Sequence, residues 1–104
     1  MALLATSLLA KDPTEWKQGK LLNLDTTLQP KIGGGTVLRP VFTYTVDGGD
    51  RVYDGREIGQ VNAQPIHVEV NASVEYAVDK DHLYIKDSDG KPHKLDLVRT
   101  SRKE

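Results

Sequence analysis

Apolar and polar residues alternate along several short segments of this chain between Thr36 and Thr100, and turn residues separate the segments about every 8 to 12 positions. A period of two places successive side chains on opposite faces of a β-strand. In the clearest segment, Val74, Tyr76 and Val78 share one predicted face, and Glu75 lies on the other. The pattern predicts a small antiparallel all-β domain.

Two consecutive hairpins are predicted to close the chain. Asp79–Asp81 leads into a strand at His82–Lys86, and Asp87–Gly90 leads into a strand at Lys94–Val98. Asp readily bonds its own backbone and Gly accepts a positive φ, so both residues favour tight turns. Leu83 and Ile85 are expected on the inward face with Tyr76.

The other predicted strands precede these hairpins. Pro40 requires an edge, a bulge or a bend in its strand because it lacks an N–H. Between Gly55 and Pro65 the pattern weakens, which predicts a loop or an irregular edge. The strands expected from the alternation are Lys20–Thr26, Val37–Val46 with Phe42, Tyr44 and Val46 on one side, Arg51–Asp54 after the turn at Asp47–Asp50, and Ile66–Val70 with Ile66, Val68 and Val70 inward.

A chain of 104 residues is one domain by length. The pattern indicates a single β domain over residues 20–100, forming an antiparallel barrel or a compact sandwich of six or seven strands. Residues 11–19 are expected to form a short helical turn or linker, because Asp12, Pro13 and Glu15 suit a helix start. The last segment, residues 101–104, is a charged tail.

The first ten residues, Met1–Ala10, are nearly all apolar and end in a small residue before the polar Lys11. They resemble the hydrophobic part of a secretory signal peptide without its basic first segment, and they are too short to span a membrane. The alternative is a leading helix or strand packed on the domain. The signal reading predicts a periplasmic or extracellular location.

Composition restricts the function classes. Fourteen Lys and Arg residues against 15 Asp and Glu give a formal charge of −1, so no basic surface for nucleic acid is expected. The chain has no cysteine, which excludes disulfides, a thiolate nucleophile and Cys-ligated zinc.

Two loops suggest ligand chemistry only in part. The backbone N–H groups of Gly33–Gly35 are able to donate hydrogen bonds to an anion. No Lys-Ser/Thr follows them, so a flexible connector is the better interpretation. Asp87–Gly90 has the clustered carboxylates of a calcium loop, but Ile85 and Asp96 stand where that motif needs an acid and a Glu. A hairpin turn explains the second loop more simply.

Several other side chains are of types that serve as catalytic or binding groups. None has the spacing of a known motif, so no catalytic, cofactor or metal residue is predicted. His67, His82 and His93 with Glu69 would make a zinc or copper site only if the fold gathered them. Asp79 and Asp81 suit a turn, and neither Ser73 nor Ser88 lies in a nucleophile elbow. The tyrosines, Tyr44, Tyr53, Tyr76 and Tyr84, fit either a stacking platform or the core, and Asn71–Ser73 fits a glycosylation acceptor.

Four segments carry a resemblance to known proteins, namely Trp16–Gly19, Phe42–Gly49, Val68–Val78 and Leu83–Lys91. In these segments the chain resembles a loosely defined group of small uncharacterised exported bacterial β-domain proteins. The resemblance implies export, and no activity or catalytic residue comes with it.

The sequence therefore favours a non-enzymatic, exported binding or structural module that presents a strand edge or a Tyr-bearing face to a protein or cell-envelope partner. One alternative is an intracellular SH3-like or OB-like barrel that binds single-stranded nucleic acid. Another is a small metal-dependent hydrolase.

Overall fold

The structure, a computed structural model, describes residues 15–30 and 38–102. These residues form six antiparallel strands, and no helix among them is long and apolar enough to cross a membrane. The strands are β1 (Lys17–Pro30), β2 (Leu38–Asp47), β3 (Arg51–Ile58), β4 (Ser73–Asp79), β5 (His82–Lys86) and β6 (Pro92–Arg102). The prediction of a small antiparallel all-β domain is confirmed. Met1–Ala10, the predicted helix start at Asp12 and Pro13, Gly33–Gly35, and Lys103 and Glu104 of the predicted tail lie outside the described residues.

The sheet closes on itself. Its strand order is β1-β2-β3-β6-β5-β4, and β1 pairs with β4 as well as with β2. Apolar side chains from every strand meet inside this barrel. Phe42, Tyr44 and Val46 of β2 are buried, as the alternation predicts, and so are Leu83 and Ile85 of β5. The core cluster is completed by Leu21, Ile66, Val74, Tyr76 and Leu95.

A long connection, residues 59–72, joins β3 to β4, and the predicted strand Ile66–Val70 within it is wrong. In the strand order, β3 and β4 lie on opposite sides of the barrel, so the connection must cross the barrel mouth. Ile66 is buried and Val68 is partly buried against the core, but Val70 is exposed. A bond from the Val68 N–H to the Ile66 C=O (2.8 Å) and a positive φ of 73° at Asn71 bend the backbone away from a strand path.

The inward face of β4 also differs from the prediction. Val74 and Tyr76 are buried as expected, but Val78 is 41% exposed and Ala77 is buried. The register pairs Tyr76 with Lys17, and no described residue of β1 pairs with β4 beyond that point. Val78 therefore lies at the rim, covered on one side only.

Three strands are longer than the sequence indicates. Residues 17–19 belong to β1 rather than to a helical turn or linker, because Gly19 allows the Tyr76 ring to pack closely: a Cβ there would lie 2.8 Å from Tyr76 Cε1. β3 continues through Gly55–Ile58, where a loop or an irregular edge is predicted. β6 includes Ser101 and Arg102, which the prediction assigns to the tail.

Candidate functional site

Among the described residues, the strand β1 has a backbone partner on the side away from β2 only over its first part. Lys17–Lys20 pair with β4, and the Leu21 N–H donates to the Ala72 C=O (3.0 Å) while the Asn71 N–H donates to the Leu21 C=O (2.6 Å). From Leu22 to Pro30, no described strand pairs with β1 on the side away from β2. We call this side of Leu22–Pro30 the free edge.

The register shows which backbone groups point toward the free edge. The Pro40 C=O accepts a hydrogen bond from the Gly59 N–H (2.9 Å), so the Pro40 carbonyl points toward β3. Along a strand, the N–H and C=O groups of successive residues point alternately to the two neighbouring strands. Val41 and Thr43 therefore point toward β1, and their partners there are Thr27 and Asp25.

The alternate residues of β1, namely Leu24, Thr26 and Leu28, point the other way. Among the described residues, their N–H and C=O groups have no backbone partner on that side. Backbone donors and acceptors require hydrogen-bond partners, from water or from another chain. The free edge therefore offers three consecutive pairing positions to an incoming strand.

An apolar face accompanies these groups. Leu24 faces the core opposite Tyr44, and the same face continues through Thr26 opposite Phe42 to Leu28 opposite Pro40. Leu28 is 64% exposed, the highest exposed fraction among the large apolar side chains of the described residues. The core-facing side of β1 thus runs past the barrel body and stays uncovered at its end.

Few features protect this edge from pairing. Natural proteins usually block long edges with charges, especially Lys, with Pro, or with bulges. Here Asp25 is the only charged residue from Leu22 to Pro30, a bulge lies at the very start between Leu21 and Asn23, and Pro30 stands at the far end. The intervening stretch is open.

A second feature is a groove of about 390 Å³ between the start of β4, the β5–β6 turn and the long connection. In it, Lys86 Nζ lies 3.5 Å from Glu75 Oε1 and 4.5 Å from the centre of the Trp16 ring. The Ser88 N–H donates to the His67 C=O (3.0 Å) and ties the connection to the β5–β6 turn. In these contacts Lys86 and Glu75 are partners of each other, and the connection is held to the turn by its backbone.

The turn Asp87–Gly90 is a hairpin turn organised by one carboxylate. Asp87 Oδ1 accepts bonds from the Asp89 and Lys91 N–H groups (both 2.9 Å), and Oδ2 lies 2.9 Å from His93 Nε2. The hydrogen bond with His93, followed by that from Lys91, lowers the pKa of Asp87 from 3.8 to about 2. Both carboxylate oxygens therefore have partners in the turn or in the strand that follows it.

The three histidines take separate positions. His93 contacts Asp87, His67 Nδ1 lies 3.1 Å from Ser88 Oγ, and His82 lies beside Tyr84 with ring centres 6.4 Å apart. His67 and His93 line a small cavity of about 280 Å³. Nowhere in residues 15–30 and 38–102 do three His, Asp or Glu side chains come together in a way that would hold a metal ion.

Two of the four tyrosines belong to the core. Tyr44 is fully buried, and its Oη donates to Glu57 Oε2 (3.1 Å) and accepts from the Ile66 N–H (2.8 Å). Burial raises the pKa of Tyr44 well above its ordinary value of 10.0. Tyr76 is 2% exposed, and Tyr53 packs on it with ring centres 5.6 Å apart. A stacking platform of several exposed tyrosines is therefore not formed by these residues.

The remaining candidates are turn or rim residues. Asp79 pairs with His82 next to the β4–β5 turn, and the Asp81 C=O accepts a bond from the Leu97 N–H (2.8 Å). Ser73 begins β4 at the wall of the groove, and the Asn71–Ser73 glycosylation tripeptide lies where the long connection enters that strand.

No protein-family model, no curated protein and no solved structure matches this chain. The resemblance to small exported bacterial β-domain proteins therefore stays a prediction. The free edge was missed by sequence reasoning because the predicted first strand ends at Thr26, before Leu28 and Pro30.

Proposed function

We propose that this protein is a non-enzymatic binding module that accepts an extended strand along the free edge of β1. The observation that carries the proposal is the run of three outward-facing backbone positions at Leu24, Thr26 and Leu28 beside an uncovered apolar face. Export to the periplasm or cell surface belongs to the proposal and rests on the composition of Met1–Ala10 alone.

The physical chemistry of strand addition supports this choice. Main-chain hydrogen bonds supply affinity, and contacts of alternate side chains supply specificity. Each net bond contributes about 0.5–1.5 kcal/mol, so a short segment gains from the three positions together. The side chain of Leu28 adds apolar surface that an incoming residue would cover, which contributes about 25 cal/mol for each Å² removed from water.

The alternatives have less support. Single-stranded nucleic acid binding needs several exposed aromatic rings beside basic groups. Tyr44 and Tyr76 are buried, and the charge of the chain is −1. A metal-dependent hydrolase needs converging ligands, and the described histidines have separate partners.

A peptide titration followed by ¹⁵N NMR tests the proposal. The probe is a synthetic nine-residue peptide of alternating valine and threonine with lysines at both ends. We expect the amide signals of Leu24, Thr26 and Leu28 to shift the most. The neighbouring amide of Thr27, which already points to β2, provides the internal control.

Three results would overturn the proposal. They are an absence of shifts at high peptide concentration, shifts confined to the groove around Lys86, and edge amides that are protected from solvent in the free monomer. The last result would show that another part of the chain already covers the edge.

A further inference from the structure

We infer that the strand accepted at the free edge is β1 of a second copy of this chain, so that two barrels join through an antiparallel pair with its two-fold axis at Thr26. This inference rests on the proposed function and specifies the partner. It is carried by the order of residues along the edge, Leu22-Asn23-Leu24-Asp25-Thr26-Thr27-Leu28-Gln29-Pro30.

The edge sequence is nearly palindromic in its chemistry. In an antiparallel pair centred on Thr26, Leu24 faces Leu28 of the other copy, and Thr26 faces its own equivalent. On the other face of the sheet, Asn23 would face Gln29, which matches an amide with an amide. At the ends, Leu22 would face Pro30.

The backbone groups match in the same register. Leu24, Thr26 and Leu28 all direct N–H and C=O to the free edge. In the Thr26-centred pair each of them faces another outward residue, so opposed residues exchange both of their hydrogen bonds. A shift of one residue in the pairing would place outward groups against residues that point to β2 and would lose these bonds.

Charge and burial select this register over its neighbours. A pair centred on Asp25 would place two like charges directly opposite each other, which is destabilising. A pair centred on Thr27 would oppose Leu28 with Thr26 and leave an apolar side chain against a hydroxyl. The Thr26 centre instead places Asp25 opposite Thr27 and covers the exposed Leu28 with Leu24 of the other copy. A closed two-fold pair also leaves no further free edge on β1 for continued growth.

Sedimentation velocity across a wide range of protein concentration tests whether the pair forms. We expect a monomer–dimer equilibrium. Leu28→Lys should raise the dimer dissociation constant by about tenfold or more, because it places a charge against Leu24 of the other copy. The control Val98→Lys introduces the same charge at an exposed apolar side chain of β6, across the barrel from the free edge, and should change the constant by less than about threefold. Circular dichroism melts confirm that both variants fold.

Cross-linking tests the register. The chain contains no cysteine, so a single introduced thiol reports on one position. Under mild oxidation, Thr26→Cys should give a disulfide-linked dimer, because residues opposed in this way have Cα atoms about 5.5 Å apart. Thr27→Cys faces Asp25 of the other copy and should cross-link far more slowly.

Each contrary result has a distinct meaning. A chain that stays monomeric at millimolar concentration while the peptide shifts the edge amides would overturn the second-copy inference and leave the proposed function standing. A dimer in which Leu28→Lys has no effect, or in which Thr27→Cys links as fast as Thr26→Cys, would also overturn it. A chain that stays monomeric and whose edge amide signals do not shift when the peptide is added would overturn both proposals.

Discussion

The two parts of β1 show how one strand can serve two purposes. Lys17–Leu21 is bonded to β4 and to the end of the long connection and closes the barrel, whereas among the described residues Asn23–Pro30 pairs with β2 alone. The change coincides with the bulge between Leu21 and Asn23, and bulges bend a strand and increase its twist. Barrel closure is therefore local here, and the remaining length of the strand is available for another partner.

The two parts also differ in what they contribute to stability. Leu21 of the closed part is fully buried in the core cluster, while Leu28 of the open part is 64% exposed. Buried side chains contribute most of the free energy of unfolding. The barrel body should thus determine stability, and the open part should determine association.

The largest difference in the free energy of unfolding is expected between two truncations of an apolar side chain, one in the barrel body and one in the open part of β1. Ile85→Ala, in the fully buried core, should lower the free energy of unfolding by about 2–5 kcal/mol. Leu28→Ala, on the open part, should lower it by less than about 0.5 kcal/mol at a concentration where the chain is monomeric. Urea melts of the two variants make the comparison. Equal losses would show that the open part is packed as tightly as the body.

A smaller effect is expected at the hairpin between β2 and β3. A Cβ at Gly48 would clash with Tyr76 Oη and would lie 3.0 Å from Tyr53 Cε2. Gly48→Ala should therefore cost about 1–3 kcal/mol through overpacking.

The double variant Gly48→Ala/Tyr76→Phe should recover part of this loss, because it removes the closest atom. A double-mutant cycle measured by thermal unfolding gives the coupling. Strictly additive effects would contradict the close packing of Tyr76 on this hairpin.

A gain in stability is expected at the turn between β4 and β5. Lys80 has a positive φ of 56°, a conformation that costs a non-glycine residue about 1–2 kcal/mol. Lys80→Gly removes this cost but increases the entropy of the unfolded chain, so the net gain should be about 0.5–1 kcal/mol. Thermal unfolding measures it. A lower melting temperature would be inconsistent with the strained conformation at this turn.

The smallest expected effect concerns pH. The pKa of Asp87 is lowered to about 2 in the folded protein from 3.8, so the folded state holds fewer protons on this group than the unfolded state. Its contribution to stability is present above about pH 4 and is lost as pH falls toward 2. The melting temperature of Asp87→Asn should therefore fall less between pH 5 and pH 2 than that of the parent chain. Parallel curves for the two proteins would contradict the bonds from His93 and Lys91 as the cause.

Sequence alternation correctly predicted burial for residues in strands that are paired with a neighbouring strand on both sides. Phe42, Tyr44 and Val46 face inward along a fully paired strand, and Leu83 and Ile85 do the same in β5. At such positions the apolar residues that the period of two places on one face are also the residues that the core buries. Local pattern is then sufficient.

The failures come from topology. Ile66 and Val68 point inward from a connection that crosses the barrel mouth, so their spacing imitates a strand. Val78 keeps the period of a buried residue, but no described residue of β1 pairs with β4 at that position. The free edge depends on where β4 begins relative to β1, which no residue of β1 encodes by itself.

Residue-resolved amide hydrogen exchange on β1 tests the free edge most directly. The measurement compares the amide of Leu21, which is bonded to Ala72, with those of Leu24, Thr26 and Leu28. It uses dilute protein, so that association of two copies does not hide the result. We expect Leu21 to exchange more than about tenfold more slowly than the other three, because its amide must break a hydrogen bond to exchange. Equal protection of all four amides in the monomer would contradict the free edge.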